Sequence, residues 1–139
     1  MNDRYLYKAK KKNWRELPTE MWWVEGYLYG IWERRYILWG MTNDVPNMVE
    51  VDPSTICQCT GLKDKNGKLI WENDVVRKVD TNALGYHRER ICMVSFDNSG
   101  YWKIMTTLGD GYWIGEFEKE QLEVIGNKFD NPELLEVEE

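Results

Sequence analysis

Apolar and polar residues alternate along much of the chain, and aromatic side chains carry many of the apolar positions. Residues 22–32 (WWVEGYLYGIW) read as one long strand, bent where Gly26 or Gly30 lacks a Cβ atom. Glu33 and Arg34 then form a polar hairpin tip, and residues 35–40 return as the next strand. Val45-Pro46-Asn47 and Asp52-Pro53 interrupt regular structure, because the residue before a proline is pushed out of the helical basin. Asp52, Pro53 and Ser54 make a turn leading into residues 55–60.

In the second half, Asn66-Gly67 is the strongest two-residue turn signal, since both residues enter the left-handed basin cheaply, as a type I′ hairpin requires. Strands are expected at residues 74–79, 90–96 and 101–106, the last two joined by a hairpin turn at 97–100. Residues 80–89 read as a mobile polar loop, 116–122 as a short helix and 122–126 as a closing strand. A terminal turn begins at Asn131-Pro132. Several short strands with tight turns predict a mainly β fold, with helix only as a minor part. Residues 1–55 form an N-terminal aromatic β-strand unit. Residues 56–139 form an SH3-like small β-barrel with a short helix and a C-terminal tail, and the two pack as one compact chain. The expected core is Trp22, Tyr27, Ile37, Leu38, Ile56, Leu62, Ile70, Val75, Val94, Phe96, Trp102, Ile104, Leu122, Val124 and Ile125.

Eight Trp and eight Tyr in 139 residues argue against disorder, because each buries about 150–250 Å² and offsets the entropy of folding. The net charge of −6 disfavours broad attraction to nucleic-acid phosphates. Its distribution is uneven, with a basic head and an acidic tail. No apolar run approaches the ~18–20 residues of a membrane span, and the N-terminus has no apolar leader, so no membrane association is expected. Three cysteines, an odd number, point to reduced thiols in the cytoplasm.

Two stretches carry a resemblance. Residues 58–76, QCTGLKDKNGKLIWENDVV, hold a Gln, a Thr-Gly-Leu, an Asp-x-x-Gly, an Ile and an Asp-Val-Val strand opening. Residues 123–135, EVIGNKFDNPELL, form a second signature, and Val94-x-Phe96 lies between the two. Together they resemble the YopX-like proteins of bacteriophages and of prophages in Gram-positive bacteria. The resemblance implies a phage or prophage origin, a bacterial cytoplasmic setting and a mainly β fold, and it carries no biochemical activity. Asn73 stands where that pattern has Gly. Asn is the residue after Gly that best holds a positive φ, so the turn is expected to survive.

The chemistry-bearing residues favour architecture over catalysis. Cys57 and Cys59 lie on one strand face, and with Cys92 and His87 they lack the knuckle spacing of a structural zinc site. His87 is the sole histidine and has no nucleophile motif around it. Asp64 and Asp74 sit where a carboxylate accepts backbone N–H groups, and Gly109-Asp110-Gly111 reads as a turn. No enzyme activity, catalytic residue, metal or cofactor is assigned. Lys8, Lys10, Lys11, Lys12 and Arg15, interleaved with Trp14, form the most suggestive cluster. Cations and rings in this pattern grip single-stranded nucleic acid, or the rings pack while the lysines face water. Arg35, Tyr36 and Trp39 form a candidate interface on an exposed strand, since Tyr, Trp and Arg dominate interface centres. The expected role is a binding or self-assembling accessory protein, a homo-oligomer or a partner of a host or phage protein. A nucleic-acid-binding module is the alternative.

Overall fold

The computed structural model describes residues 5–81, 84–107, 109, 111–114 and 121–136. Among these, eleven strands and short 3-10 turns make up the regular structure, so the mainly β expectation holds. None of their helices is long and apolar enough to cross a membrane. The chain divides into two units, residues 1–59 and 60–139.

The first unit contains β1 (Tyr7–Lys10), β2 (Trp23–Ile31), β3 (Arg34–Thr42), β4 (Val45–Val51) and the start of β5 (Cys57–Lys63), in the order β4-β3-β2-β1-β5. All its pairings are antiparallel. The sheet curls until its first and fourth strands meet at one corner, where Asp52 N–H donates to the Lys10 carbonyl (2.8 Å) and Lys12 N–H to the Glu50 carbonyl (3.0 Å). The curl gives the unit an interior: Ala9, Ile37 and Val51 are buried there, with Tyr7, Val24, Leu28, Val49 and Ile56 packed against them.

Three expectations change here. Val45-Pro46-Asn47 does not break the sheet but belongs to β4, because Asn43 and Asp44 both take positive φ (52° and 65°) and close a two-residue hairpin between Thr42 and Val45. Pro46 is tolerated since β4 ends the strand order and, at its Pro46 end, has no ladder to serve along one side among the described residues. The β2–β3 tip is Trp32-Glu33, one residue earlier than expected, with Arg34 already paired to Ile31. Finally, residues 35–39, expected as an exposed strand, form an interior strand of the sheet. β3 lies between β2 and β4, so edge pairing through Arg35, Tyr36 and Trp39 is unavailable.

The second unit holds the end of β5 with its neighbour β6 (Leu69–Trp71). Its antiparallel five-stranded sheet has the order β10-β9-β8-β7-β11, built from β7 (Asp74–Thr81), β8 (His87–Phe96), β9 (Trp102–Thr106), β10 (Gly111–Trp113) and β11 (Leu122–Asn127). Ile70, Val76, Cys92, Val94, Ile104, Ile114 and Leu122 form its buried cluster. No ladder joins β10 to β11 among the described residues, so the unit is stated as a sheet. Residues 87–89 belong to β8, not to a loop: Thr81, Asp80 and Val79 pair with His87, Arg88 and Glu89. The helix expected at 116–122 falls mostly outside the described residues, and Leu122 opens β11.

The two turns expected to shape this unit are present with a common geometry. Asp64 N–H donates to the Lys68 carbonyl and Gly67 N–H to the Asp64 carbonyl; Asp97, Tyr101 and Gly100 repeat both bonds. Asn66 is not left-handed. Only Gly67 (φ 78°) and Gly100 (φ 94°) are, so each is a three-residue Asp-x-x-Gly turn closed by glycine and not a type I′ pair. Of the residues expected in the core, Tyr27 is turned outward by register and Leu62 and Phe96 are exposed near the ends of β5 and β8, whereas Lys10 and Lys78 are buried.

Candidate functional site

Residues directly opposite in an antiparallel pair share a face. On the first unit's sheet, Tyr27 faces Leu38, Tyr29 faces Tyr36, Ile31 faces Arg34, and Leu38 and Tyr36 face Met48 and Glu50 on β4. The face opposite the buried cluster is therefore aromatic and apolar. Tyr27, Tyr29, Ile31 and Met48 are all exposed, and the Tyr29 and Tyr36 rings lie 6.5 Å apart. Trp39 is the extra residue of a β-bulge between Leu38 and Gly40 and is also exposed.

The stripe ends at Trp32, which is 95% exposed. Its φ of 56° lies in the left-handed region, where a bulky side chain costs about 1–2 kcal/mol relative to glycine. The strain is held by a clamp: the Arg35 guanidinium Nη1 donates to the Trp32 carbonyl (2.9 Å) and to the Arg34 carbonyl (3.0 Å). Gly30 makes room for the clamp, because a Cβ there would sit 3.2 Å from that nitrogen. Beside the indole, Ile31, Trp32, Glu33, Arg34 and Tyr36 line an open cleft of about 510 Å³. Arg34 titrates above its usual value, chiefly through a hydrogen bond to Tyr36 and then through the charges of Tyr36 and Glu50. The tip thus presents an indole, a phenol ring and a cation together. It has ring and charge contacts to offer, and no nucleophile–base pair.

The basic head is arranged differently from either expectation. Lys10 is 2% exposed, and its ammonium lies 4.0 Å from the Trp14 ring centre, 4.3 Å from Trp22 and 5.6 Å from Trp23. Three rings around a desolvated ammonium form a cation–π cage. Trp14 and Trp22 meet edge to face at 4.8 Å, and their indole N–H groups donate to Asp52 Oδ2 and the Leu17 carbonyl. Lys8 lies over Trp23, Arg15 over Trp14, and Lys12 pairs with Glu50 at 3.2 Å. Lys11 is half-buried and bridges to Val51. The cluster is brought together around its own rings, so packing describes Lys10 and Trp14 better than an open cationic groove does.

The family model described as YopX protein matches residues 12–136. The chain belongs to the YopX family. Nothing matches it among curated proteins. In this YopX chain, the segment that carried the resemblance is built as architecture. Asp64 is fully buried: Oδ1 accepts from Asn66 N–H and Lys68 N–H, and Oδ2 from Val124 N–H, each at 2.9 Å. Burial pushes its carboxyl up, but the N–H groups of Val124, Lys68 and Asn66 outweigh that and leave it below the usual range. Asp74 Oδ2 accepts from Trp71 N–H, and Asn73 takes φ 69°, as expected for a residue standing in for glycine. The three cysteines of this YopX chain are buried thiols, and His87 is exposed with Nδ1 3.0 Å from Thr81 Oγ1. Among the described residues, no group of His, Cys, Asp or Glu is placed to hold a metal ion. Of the expected interface, Tyr36 lines the cleft and Arg35 holds the turn. Trp32 was missed because an indole is not a turn residue, and that misfit was the available signal.

Proposed function

We propose that this YopX-family chain is a non-catalytic binding module of phage or prophage origin, and that it engages another protein through the aromatic face of the β2–β3 hairpin. The observation that carries the reading is Trp32: a fully presented indole in a strained backbone conformation, fixed by Arg35 and continuous with Tyr29 and Tyr36. Backbone strain held by surrounding structure concentrates at functional positions, and Trp, Tyr and Arg are the residues that dominate protein interfaces. The short antiparallel strands and two Asp-x-x-Gly turns of the second unit favour an SH3-like reading.

The test uses the full chain, immobilised, with lysate of the producing bacterium before and after prophage induction. A protein retained by the native chain and lost with the pair Tyr29→Ala and Trp32→Gly is the expected result. Retention that ignores both substitutions overturns the reading. Fluorescence anisotropy with labelled single-stranded and duplex DNA addresses the alternative, for which a caged Lys10 and a net charge of −6 leave little support.

A further inference from the structure

At one corner of the second unit the sheet sets two cations directly opposite each other. Lys78 on β7 pairs with Arg90 on β8, and the next pair on the same face is Asp80 with Arg88. Like charges facing each other across a ladder are destabilising. Neither is out in solvent: Lys78 is 3% exposed and Arg90 is half-buried. The Lys78 ammonium lies 4.1 Å from the centre of the Tyr112 ring and 3.1 Å from Asp80 Oδ2. Arg90 has less to hold. Its Nη1 donates to the Tyr112 hydroxyl at 2.9 Å, its Nε–H is buried without an acceptor, and no carboxylate among the described residues pairs with it.

A buried guanidinium N–H that has lost its water and gained no acceptor calls for an occupant of the site. The surrounding charge says which kind. Lys78, Arg88 and Arg90 face Asp80 alone, a surplus of positive charge that a phosphate dianion balances. From the orphaned Nε–H and this surplus together, we propose that the Lys78–Arg90–Tyr112 corner is an anion site that takes a phosphate group, free or as a small phosphate monoester. Arginine binds phosphate through two parallel N–H donors. With Nη1 fixed by the phenol, Arg90 keeps Nε and Nη2 for that pair of bonds, and Lys78 adds charge beside them. Tyr112 sits on β10, which is three residues long and pairs only with β9 among the described residues, so the corner opens to an ion without disturbing the rest of the sheet. The site is independent of the aromatic face proposed as the protein-binding surface.

Isothermal titration of the full chain with inorganic phosphate and, separately, with a nucleoside monophosphate reads the site, at an ionic strength held constant with sodium chloride. Saturable binding with a Kd below about 1 mM is expected for at least one of the two probes. Preference for the monophosphate identifies a monoester as the ligand class, and preference for inorganic phosphate identifies the free ion. Arg90→Gln is expected to weaken binding by at least about tenfold, and Arg88→Gln, at an exposed position, by less. In the native chain, the Arg90 Nε–H resonance should move with added phosphate and saturate at the same concentration, a readout that needs no variant. Absence of saturable binding up to about 20 mM of either probe overturns the proposal. So does an Arg90 resonance that stays still, a folded Arg90→Gln chain with unchanged affinity, or a response that chloride alone reproduces.

Discussion

The ends of two hairpins in the second unit and the tip of one in the first solve the same geometrical problem in opposite ways. At residues 64–68 and 97–101, glycine takes the left-handed position and an Asp carboxylate turns inward to collect backbone N–H groups. At the β2–β3 tip, a tryptophan takes the left-handed position and points into solvent, held from behind by the Arg35 guanidinium. The first design relieves strain and satisfies donors. The second accepts strain and leaves an indole uncovered. A turn whose residues all serve the fold is architecture; a turn that works against its own backbone to expose an apolar ring has a use outside the fold.

The comparison breaks most visibly at Asp64. Asp64→Ala removes the acceptor of three backbone N–H groups, of which those of exposed Asn66 and Lys68 can turn to water, and is expected to cost roughly 2–3 kcal/mol in urea unfolding. A loss below about 1 kcal/mol would mean the turn does not depend on its carboxylate.

The same contrast has a pH signature. Asp64 lies below its ordinary value because N–H donors outweigh burial, and Asp97 because Ser99 N–H and then Lys103 hold it down. A lowered folded pKa gives stability that is fully present above the unfolded value and is lost as pH falls through the folded one. Thermal midpoints should therefore decline on acidification through and below the usual carboxylate range. In Asp64→Asn the decline should be shallower.

Lys10 sharpens the picture within the first unit. Lys10→Ala empties the Trp14–Trp22–Trp23 cage and should cost about 2 kcal/mol, the upper range for a desolvated cation–π contact, with a red shift of indole emission. Unchanged emission would show that the rings do not depend on the ammonium.

Trp32→Gly should do the opposite of a core substitution and stabilise the unit by about 1 kcal/mol, since the left-handed strain disappears and no packing is lost. Destabilisation of that size would show the indole to be structural. Smallest of all, Asn73→Gly should shift stability by less than about 0.5 kcal/mol, because Asn already holds the left-handed turn. Asn73→Val, by contrast, should cost more than 1 kcal/mol at roughly that strain.

What the sequence revealed of this fold was its local chemistry. Asp-x-x-Gly at 64–67 and 97–100 announces a turn because glycine and Asp act within five residues, and the left-handed Asn73 was expected from the glycine that the YopX pattern has there. The Asn43-Asp44 hairpin was obscured by Pro46, whose tolerance depends on β4 ending the strand order, a property of the sheet and not of the tripeptide. Burial of Lys78 was illegible for a related reason, since its ammonium lies over the Tyr112 ring that the sheet brings from elsewhere in the chain, while Lys10 is closed in by Trp14 and Trp22 from the turns that follow it. Tyr27 and Phe96 look like core side chains by composition, but register turns Tyr27 outward and Phe96 sits at the exposed end of β8. The candidate site was half visible. Tyr36 and Arg35 stood out as interface types, while Trp32 was hidden inside an apparent strand end.

The buried thiols offer a consequence for watching this molecule breathe. Cys57 and Cys59 are buried on β5 and Cys92 on β8, where burial also pushes the Cys92 thiol up. A thiol-reactive dye added under native conditions therefore keeps two clocks in one tube. Modification at 57 and 59 times the exposure of β5, modification at 92 times that of β8, and peptide mapping tells which ran first.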